Sequence, residues 1–359
     1  MNKQRVAVLF GGVSSEHEVS WKSAATILDG LDEEKYEIYP IGITRGGDWF
    51  YCPLPYDQIA DGRWRQSPDK IPCTLSPSRA DGGFLLFEQG GVKPLPVDVV
   101  FPALHGKNGE DGTVQGLLEL AGLPYVGCGV LSSAVCMDKA VANTLLDAAG
   151  VPRCEWLWAG RVECADFEAL RARVEGRLPY PIFVKPANAG SSVGISKAAD
   201  AAQLKAAVAT ALAEDDKVVF ERFVDGQEVE CAVIGNDTVC ATTPGEILAS
   251  AEFYTYDDKY VSGTSRTAIP ARLSEAKQQE VRGWAEKAYR VLGCTGLARA
   301  DFFVERSTGE VLCNELNTLP GFTAISMYPK LMEEAGTPLP RLLDRLIALA
   351  VQRGEGRHG

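Results

Sequence analysis

Polar side chains gather near the carboxyl end of the chain, in a segment that predicts a β-hairpin. Arg299 and Asp301 stand two residues apart in its first strand, and Glu315 and Asn317 stand two apart in its second. Side chains two apart share one face of a strand, so pairing of the strands brings these four groups together. Opposed carboxylates destabilise a sheet unless a cation lies between them, and a few hard oxygen ligands suit magnesium. The alternative is a solvated ladder of salt bridges.

The segment after the second strand favours the metal-site interpretation. Asn317 is followed at once by the run TLPG, which ends at Gly321, so the sheet gives way to a glycine loop whose backbone can approach a ligand. The order Arg-x-Asp, then Asn-Glu-x-Asn-Thr-x-Pro-Gly-Phe-Thr, resembles the magnesium and oxyanion segment of the ATP-grasp ligases. More narrowly, it is similar to the D-alanine–D-alanine ligase family.

Composition places the chain among ordinary soluble globular proteins of two or three domains. Of its 359 residues, 46% are hydrophobic and 23% are charged. No apolar run reaches transmembrane length, and the first residues lack the apolar core and cleavage site of a signal peptide. The ten cysteines show neither CxxC pairs nor metal-ligand spacing, which is typical of reduced thiols in the cytosol. We therefore expect a cytoplasmic protein without a membrane partner.

The net charge argues against nucleic acid as a partner but leaves a nucleotide ligand open. The formal net charge at pH 7 is −12, which argues against nucleic acid because its phosphate backbone is also an anion. A nucleotide is not excluded by this charge, since a few local lysines suffice to hold its phosphates.

The first 125 residues predict an open α/β layer. The buried strand RVAVLF runs into a glycine pair and then into a helix from about Glu18 to Gly30, and further strands follow at residues 36–44 and 97–104. The glycine turn lacks the GxGxxG pattern, which counts against dinucleotide binding. Residues 45–96 are rich in Pro, Gly and Trp and predict a connection with one hairpin, to which we assign no chemistry.

Two polar residues follow the glycine turn and the later strand of this layer. Glu16 stands above the strand ends, where open α/β sheets bind ligands; its alternative role is to complement the dipole of the helix that begins there. His105 opens the loop HGKNGEDG, and its alternative role is a turn residue hydrogen-bonded to the backbone. The family resemblance, carried by GGxSxEHEVS, implies that Glu16 holds the ammonium group of the first D-alanine. It also implies that His105 forms a wall of the first amino-acid site.

A smaller central unit carries a second glycine loop. The sequence predicts a helix from Ser132 to Ala149, a buried strand that ends in Lys185, and a returning strand. The linking run NAGSS consists of small residues whose backbone N–H groups can turn toward phosphate oxygens. It is not a Walker loop, because no Gly-Lys-Ser/Thr opens a helix. A helix at 200–213 and a strand at 218–224 complete the unit.

The segment 251–271 is aromatic and polar, unlike a core strand. Its tyrosines predict a lid that closes over a ligand, whereas the alternative is a decorated surface hairpin. The run FYTYDDKY is similar to the ω-loop of the family. This similarity implies that Lys259 contacts the ATP phosphates and that Tyr260 latches the lid by bonding to Ser191 and, through it, to Glu16.

The resemblance covers nearly the whole chain and implies both a fold and a set of site residues. The implied fold is α/β, an ATP-grasp fold of three α/β domains at residues 1–125 (N-terminal, open), 126–221 (small, central) and 222–359 (C-terminal, catalytic). The residues implied at the nucleotide are Lys139, Lys185, Glu221, Phe223, Val224, Glu228, Lys259, Phe303 and Asn314. Those implied in catalysis and amino-acid binding are Glu16, Ser191, Tyr260, Arg299, Gly321, Ser326, His105 and Met327, with Asp301, Glu315 and Asn317 as metal ligands.

The activity implied by the resemblance is ATP-dependent ligation of two D-alanines, through an acyl phosphate, for peptidoglycan precursor synthesis. It implies ATP and two Mg²⁺ ions, with Mn²⁺ as a substitute, and a homodimer. The alternative within the family is a D-alanine–D-serine ligase of the glycopeptide-resistance type. A different ATP-grasp ligase would share the hairpin but not Glu16, Tyr260 and the SMYPK segment. A nucleotide-binding regulator without activity should have lost at least one of the four hairpin residues, and all four are present.

Overall fold

The computed structural model describes residues 3–190, 193–248 and 266–356 of the chain. Its strands form three β-sheets, one each from the N-terminal, central and C-terminal parts of the sequence. The predicted three-part α/β architecture is confirmed, while the domain boundaries at 125 and 221 stay predictions. Ser191, Lys259 and Tyr260 lie outside the described residues, so the predicted lid and its latch stay predictions as well.

The N-terminal sheet is built around strand β1 (Gln4–Gly11), which is buried along most of its length. The run VAVLF lies between two parallel neighbours, and strands covered on both faces take such continuous apolar runs. The other strands are β2 (Tyr36–Ile43), β3 (Trp49–Tyr51), β4 (Ile71–Leu75), β5 (Gly83–Glu88), β6 (Gly91–Pro96) and β7 (Val99–Pro102). The order across the sheet is β6-β5-β4-β3-β2-β1-β7.

Residues 45–96 differ from the prediction of a connection with one hairpin. They add four strands, β3 to β6, each antiparallel to the strand before it. Between β3 and β4 lie a short helix α2 (Tyr56–Ala60) and a 3₁₀ turn (Arg63–Gln66). Trp64 in that turn is fully buried, with its ring 5.1 Å from the ring of Phe10. The segment therefore closes one face of the sheet, and its short strands carry too little periodicity to be recognised in the sequence.

The turn after β1 sets the position of Glu16. Gly11 and Gly12 have φ of +89° and +94°, and a Cβ on Gly11 would lie 2.1 Å from the carbonyl oxygen of Ile43. Only glycine fits this close approach. Helix α1 (His17–Gly30) begins directly after Glu16, which therefore lies at the carboxyl end of β1. Helix α3 (Thr113–Ala121) follows the loop that contains His105.

Two helices replace the single helix predicted from 132 to 149. They are α4 (Val130–Met137) and α5 (Lys139–Ala148), with Asp138 between them in an extended conformation. The Asp138 side chain accepts hydrogen bonds from the backbone N–H groups of Ala140 and Val141 and so caps α5. Lys139 is consequently the first residue of a helix rather than a residue in the middle of one.

The central sheet is antiparallel and presents one polar face. Its strands are β8 (Trp156–Gly160), β9 (Ile182–Pro186), β10 (Ser196–Ala198) and β11 (Lys217–Arg222), in the order β10-β9-β11-β8. The associated helices are α6 (Arg161–Cys164), α7 (Phe167–Glu175) and α8 (Ala201–Glu214). Ile182 and Val184 point into a core, so Lys185 lies on the opposite face of β9.

The C-terminal sheet carries the predicted hairpin. Its strands are β12 (Gly226–Gly235), β13 (Cys240–Ala241), β14 (Gly245–Leu248), β15 (Arg266–Ala268), β16 (Gly296–Glu305) and β17 (Val311–Asn317). The order is β15-β14-β12-β16-β17, with β13 beside β12. Helices α9 (Glu275–Val291), α10 (Met327–Glu334) and α11 (Leu339–Gly356) follow in the chain. Among the described residues, no helix is long and apolar enough to cross a membrane.

Helix α11 joins the C-terminal part to the N-terminal part. Its apolar face belongs to one buried cluster with residues of α1 and β1. Near its end, Arg353 donates hydrogen bonds to the carbonyl oxygens of Gly127 and Tyr125 (2.7 Å for the latter) and to Oγ1 of Thr295 at 2.8 Å. Its guanidinium also lies 4.4 Å from the centre of the Tyr125 ring. One side chain thus fixes the connection between the first and second sheets.

Arg353→Ala is expected to lower the free energy of unfolding by about 3 kcal/mol, because it leaves several buried acceptors without their charged donor. Arg353→Lys keeps the charge but not the planar fork, so its loss should be intermediate. Urea unfolding measures both. Arg341→Ala, an exposed arginine on the same helix, is the control and should change stability by less than about 0.5 kcal/mol. An Arg353→Ala protein as stable as the control would contradict this role.

Candidate functional site

Three carboxylates form one row across the C-terminal sheet. Glu230 on β12 pairs with Asp301 on β16, which in turn pairs with Glu315 on β17. Directly paired residues share a face, so the three side chains lie side by side. Glu230 and Asp301 are each only 3% exposed. Sequence analysis missed Glu230; the available signal was a charged residue inside an otherwise apolar strand.

Cations neutralise this row of carboxylates. Arg299 donates from Nε and Nη2 to the two oxygens of Asp301 at 2.8 and 2.7 Å, and its Nε lies 3.0 Å from Oε2 of Glu230. The amide of Asn317 donates to Oδ2 of Asp301 at 2.9 Å. Lys139 Nζ lies 3.5 Å from Oε2 of Glu315. The four predicted hairpin residues are therefore brought together, with positive charge from two directions.

The donor set fits magnesium. Within the three described stretches, no group of three or more His, Cys, Asp and Glu side chains is arranged to hold a metal ion. A metal at the hairpin would thus rely on Asp301 and Glu315, the amide oxygen of Asn317, and oxygens from water or phosphate. Such a small set of hard oxygen ligands, completed by phosphate, is the usual protein environment of Mg²⁺.

A β-bulge places Asn314 at the same site. The pairing of β16 with β17 passes from Asp301–Glu315 to Phe302–Cys313, so Asn314 is the extra residue. Bulges bend the strand and re-aim a side chain. Oδ1 of Asn314 lies 3.4 Å from Nζ of Lys185 on the central sheet. The bulge therefore links the predicted phosphate lysine to the hairpin.

Lys185 belongs to a buried charge network on the central sheet. Its Nζ lies 2.5 Å from Oε2 of Glu221, and Nη2 of Arg153 lies 3.4 Å from the other oxygen. Burial raises the pKa of Glu221, but the charges of Lys185 and Arg153 outweigh it, so this pKa lies below its usual value. Glu221 is therefore ionised at neutral pH. Sequence analysis missed Arg153, since nothing in the chain's local pattern distinguishes it from a surface arginine.

The predicted nucleotide hinge lies where the central and C-terminal sheets meet. Phe223 follows the last residue of β11, and its ring stacks on the ring of Phe183 with 6.0 Å between their centres. Nζ of Lys197 lies over the Phe223 ring, 4.3 Å from its centre. Val224 is buried beside it. Glu228 on β12 pairs directly with Phe303 on β16, and both are partly exposed. Apolar rings and carboxylates thus stand together at this junction.

A cavity of about 50 Å³ lies beside Lys139, Glu315 and Asn317. It lies between the central glycine loop, the start of α5 and the end of β17. Its lining residues are Glu110, Cys136, Met137, Lys139, Ala189, Gly190, Ile195, Glu315, Leu316, Asn317 and Thr318. Lys139 Nζ donates to the carbonyl oxygen of Ala189 at 3.0 Å, so this lysine bridges the glycine loop and Glu315.

Glu16 lies where loops of the N-terminal and central parts touch. It is 5% exposed. A Cβ built on Gly106 or on Gly190 would lie 2.7 Å from its Oε2. The carboxylate is therefore packed between two glycines, one on each loop.

His105 fixes the C-terminal glycine loop. Its Nδ1 donates to the carbonyl oxygen of Leu319 at 3.1 Å, and its Nε2 lies 2.9 Å from the Ser23 hydroxyl. That hydroxyl oxygen accepts from the backbone N–H of Phe322 at 3.2 Å. Burial lowers the pKa of His105, but Glu110 and Glu16 outweigh it, so the pKa is raised. Glu110 was also missed by sequence analysis.

The second part of this loop is closed by Ser326. The Ser326 hydroxyl oxygen accepts from the backbone N–H of Thr323 at 3.0 Å, and a Cβ on Gly321 would lie 2.8 Å from it. Met327 begins α10, is 5% exposed and packs in the apolar core with its sulfur close to Gly245. The structure thus brings Gly321 and Ser326 together, whereas the Met327 side chain points into the core.

Comparison with known proteins gives matches over nearly the whole chain. The family model "D-ala D-ala ligase N-terminus" matches residues 5–128, and "D-ala D-ala ligase C-terminus" matches residues 145–348. A D-alanine–D-alanine ligase of Caldicellulosiruptor bescii is 49% identical over 354 residues, covering 98% of this chain and 96% of the relative. One of Acetivibrio thermocellus is 49% identical over 364 residues, covering 98% and 97%.

Solved structures give the same result. The VanG D-Ala:D-Ser ligase from Enterococcus faecalis has a TM-score of 0.89 at 40% identity, covering 97% of this chain and 100% of that one. The D-alanine–D-alanine ligase from Coxiella burnetii has a TM-score of 0.89 at 36% identity, covering 100% and 97%. These two ligase structures match nearly the whole chain, so the predicted fold class is confirmed.

Arg299→Ala is expected to lower turnover by about 100-fold or more, because the charged donor predicted to stabilise the oxyanion is lost. It should also lower the free energy of unfolding by about 3 kcal/mol, since two buried carboxylates lose their partner. Arg299→Lys should recover part of the stability but little turnover, because lysine cannot pair with both carboxylates in the same geometry. Steady-state kinetics and urea unfolding measure the two effects. Near-normal turnover in Arg299→Ala would make Arg299 a structural ion-pair residue.

Gly190→Ala is expected to raise the KM for D-alanine by about tenfold, because the added methyl group displaces the carboxylate of Glu16, which is predicted to bind the ammonium group of the first D-alanine. The KM for ATP should change less. Gly116→Ala serves as the matched control, since a Cβ there meets nothing within 4 Å. Equal kinetics for the two variants would show that the Glu16 contact has no part in amino-acid binding.

Proposed function

The chain belongs to the D-alanine–D-alanine ligase family, and we propose that it joins two D-alanines into D-alanyl-D-alanine at the expense of ATP, for peptidoglycan precursor synthesis. The observation that carries this function is the complete hairpin site, in which Arg299, Asp301, Glu315 and Asn317 all meet on one sheet face. Buried carboxylates are costly to fold unless cations pair with them. A chain without the activity would gain nothing by keeping them together with these partners.

ATP and a metal ion are used by enzymes of this family, and the chain has residues to hold both. We propose that Lys139 and Lys185 contact the phosphates, and Lys259 with them. The adenine would lie at Glu221, Phe223 and Val224, the ribose at Glu228, with Phe303 and Asn314 completing the site. Two Mg²⁺ ions, for which Mn²⁺ can substitute, would be held by Asp301, Glu315 and Asn317. ATP supplies the phosphoryl group that activates the first carboxylate as an acyl phosphate.

The chain's own residues then orient the two amino acids. Glu16 offers a buried carboxylate to the ammonium group of the first D-alanine, beside His105. As the second amine attacks, negative charge develops on the carbonyl oxygen, and Arg299 and the backbone N–H of Gly321 stabilise it. The loop that carries Gly321 is already held by Ser23 and Ser326, so little reorganisation is needed. Ser326 would border the second amino-acid pocket, and Met327, whose side chain points into the core, would support that border from behind.

Water must be kept from the acyl phosphate, because hydrolysis would waste ATP. The lid predicted around Lys259 and Tyr260, with its latch through Ser191 to Glu16, would serve this purpose. These three residues lie outside the described part of the chain, so the latch rests on the sequence resemblance. We also propose a cytoplasmic location and a homodimer on the same basis.

D-Serine as second substrate is the one alternative that a specific observation favours, namely the likeness to the VanG D-Ala:D-Ser ligase. A pocket that merely fits a methyl group rejects an added hydroxyl only weakly, by roughly 100-fold. A pocket selective for serine should place a hydrogen-bonding group against that hydroxyl. The residue at 327 is a methionine whose side chain points into the apolar core, so it offers no hydrogen-bonding group to that hydroxyl, which supports D-alanine as the preferred second substrate.

Competition between D-alanine and D-serine at equal concentration, with ATP and magnesium, is expected to give D-alanyl-D-alanine as the dominant product. D-Alanyl-D-serine should be a minor product, less abundant than D-alanyl-D-alanine by about 100-fold at most, because the pocket rejects an added hydroxyl only weakly. Mass spectrometry of the products measures the ratio. A reaction without ATP is the control and should give no dipeptide. A dominant alanyl-serine product would overturn the substrate assignment, and the absence of any dipeptide would overturn the proposed function.

A further inference from the structure

Two buried thiols meet beside the cavity that the nucleotide phosphates would enter. Cys136 lies one residue before the end of α4 and lines that cavity. Its Sγ lies 3.7 Å from Sγ of Cys294, in the turn between α9 and β16. The two cysteines are 8% and 5% exposed. Elements far apart in the sequence therefore bring two sulfur atoms into van der Waals contact.

A third thiol completes the cluster but is otherwise engaged. Cys128 donates to the carbonyl oxygens of Thr295 and Leu297, each at 3.4 Å. Hydrogen bonding to Cys128 and Cys136, together with burial, raises the pKa of the Cys294 thiol. Cys294 is therefore largely protonated at neutral pH. Cys136 is the member that lines the cavity.

We propose that Cys136 is an oxidation site that hydrogen peroxide reaches through this cavity, and that Cys294 resolves it as a disulfide. In the first step the Cys136 sulfur attacks a peroxide oxygen and the O–O bond breaks, which gives a sulfenic acid and water. In the second step Cys294 attacks the Cys136 sulfur and expels the hydroxyl group as water. The two thiols lose two electrons and two protons, and one hydrogen peroxide is reduced to two waters.

The cavity has the size that this chemistry needs. A water molecule requires roughly 10–15 Å³ on the same measure, so a cavity of about 50 Å³ admits hydrogen peroxide. Burial raises the pKa of the Cys154 thiol to about 12, so little thiolate forms on it at neutral pH. A bound nucleotide would cover the cavity and slow the oxidation of Cys136. This protection by nucleotide, and the loss of activity described next, rest on the proposed function.

Disulfide formation would disturb the phosphate side of the site. The sulfurs must approach by about 1.7 Å to reach disulfide bond length. Cys136 is separated from Lys139 only by Met137 and the capping residue Asp138. Movement of the α4 end therefore shifts the lysine that contacts Ala189 and Glu315. A displacement of about 1 Å at such a position can cost on the order of 100-fold in rate.

The test treats the protein with hydrogen peroxide in a Cys240→Ser background, which removes the exposed thiol. The intact mass should fall by two hydrogen atoms, and a thiol reductant should reverse the change. Trypsin should release residues 108–139 linked to residues 291–299, and chymotryptic cleavage after Leu131 then separates Cys128 from Cys136. ATP with magnesium should slow the linkage. Ligase activity should fall by about tenfold or more and return on reduction.

Cys294→Ala and Cys128→Ala in the same background distinguish the partners. In Cys294→Ala, the mass should rise by oxygen at Cys136 instead of falling by two hydrogen atoms. Its activity should therefore not be lost at the rate at which the disulfide forms in the parent protein. Cys128→Ala should still form the link between Cys136 and Cys294. A link from Cys294 to Cys128, or no link and no oxygen gain at Cys136, would overturn the proposal. These mass measurements do not depend on catalysis, so they stand apart from the outcome of the ligase assay.

Discussion

The charge balance of three neighbouring carboxylates governs the architecture of this protein. Glu230, Asp301 and Glu315 lie in one row on adjacent strands, and two of them are almost fully buried. A buried carboxylate without a counter-charge costs several kcal/mol, so this row is stable only with cations beside it. Arg299 comes from the same sheet, whereas Lys139 comes from α5 next to the central sheet. The need for counter-charge therefore holds two parts of the chain against each other.

Glycines let loops from the three parts of the chain approach one another closely. Gly106, Gly190 and Gly321 come from the N-terminal, central and C-terminal parts, and a Cβ on each would lie within 2.8 Å of a side-chain oxygen. The missing side chains leave room for Glu16 and Ser326 between loops that would otherwise clash. The close approach of these three loops suits a site that holds a nucleotide and two small amino acids together and excludes water.

The sequence was informative where the pattern is local and uninformative where contacts are distant. The hairpin of β16 and β17 follows from two short runs and a turn signal, so its four polar residues could be placed on one face. Glu230 and Arg153 could not be predicted, because their partners lie far away in sequence. The break between α4 and α5 was missed since Asp138 caps a helix inside a continuous helical pattern. The strands within 45–96 are too short to show a period.

Magnesium dependence of D-alanine-stimulated phosphate release from ATP tests the carboxylate row most directly. In Glu315→Gln, the magnesium concentration that gives half-maximal release should rise by about tenfold or more, since the proposed metal ligand has lost its charge. Glu310→Gln changes an exposed carboxylate of the same hairpin and should leave that concentration as in the unmodified protein. The same magnesium dependence in both variants would contradict the proposal that Glu315 binds the metal.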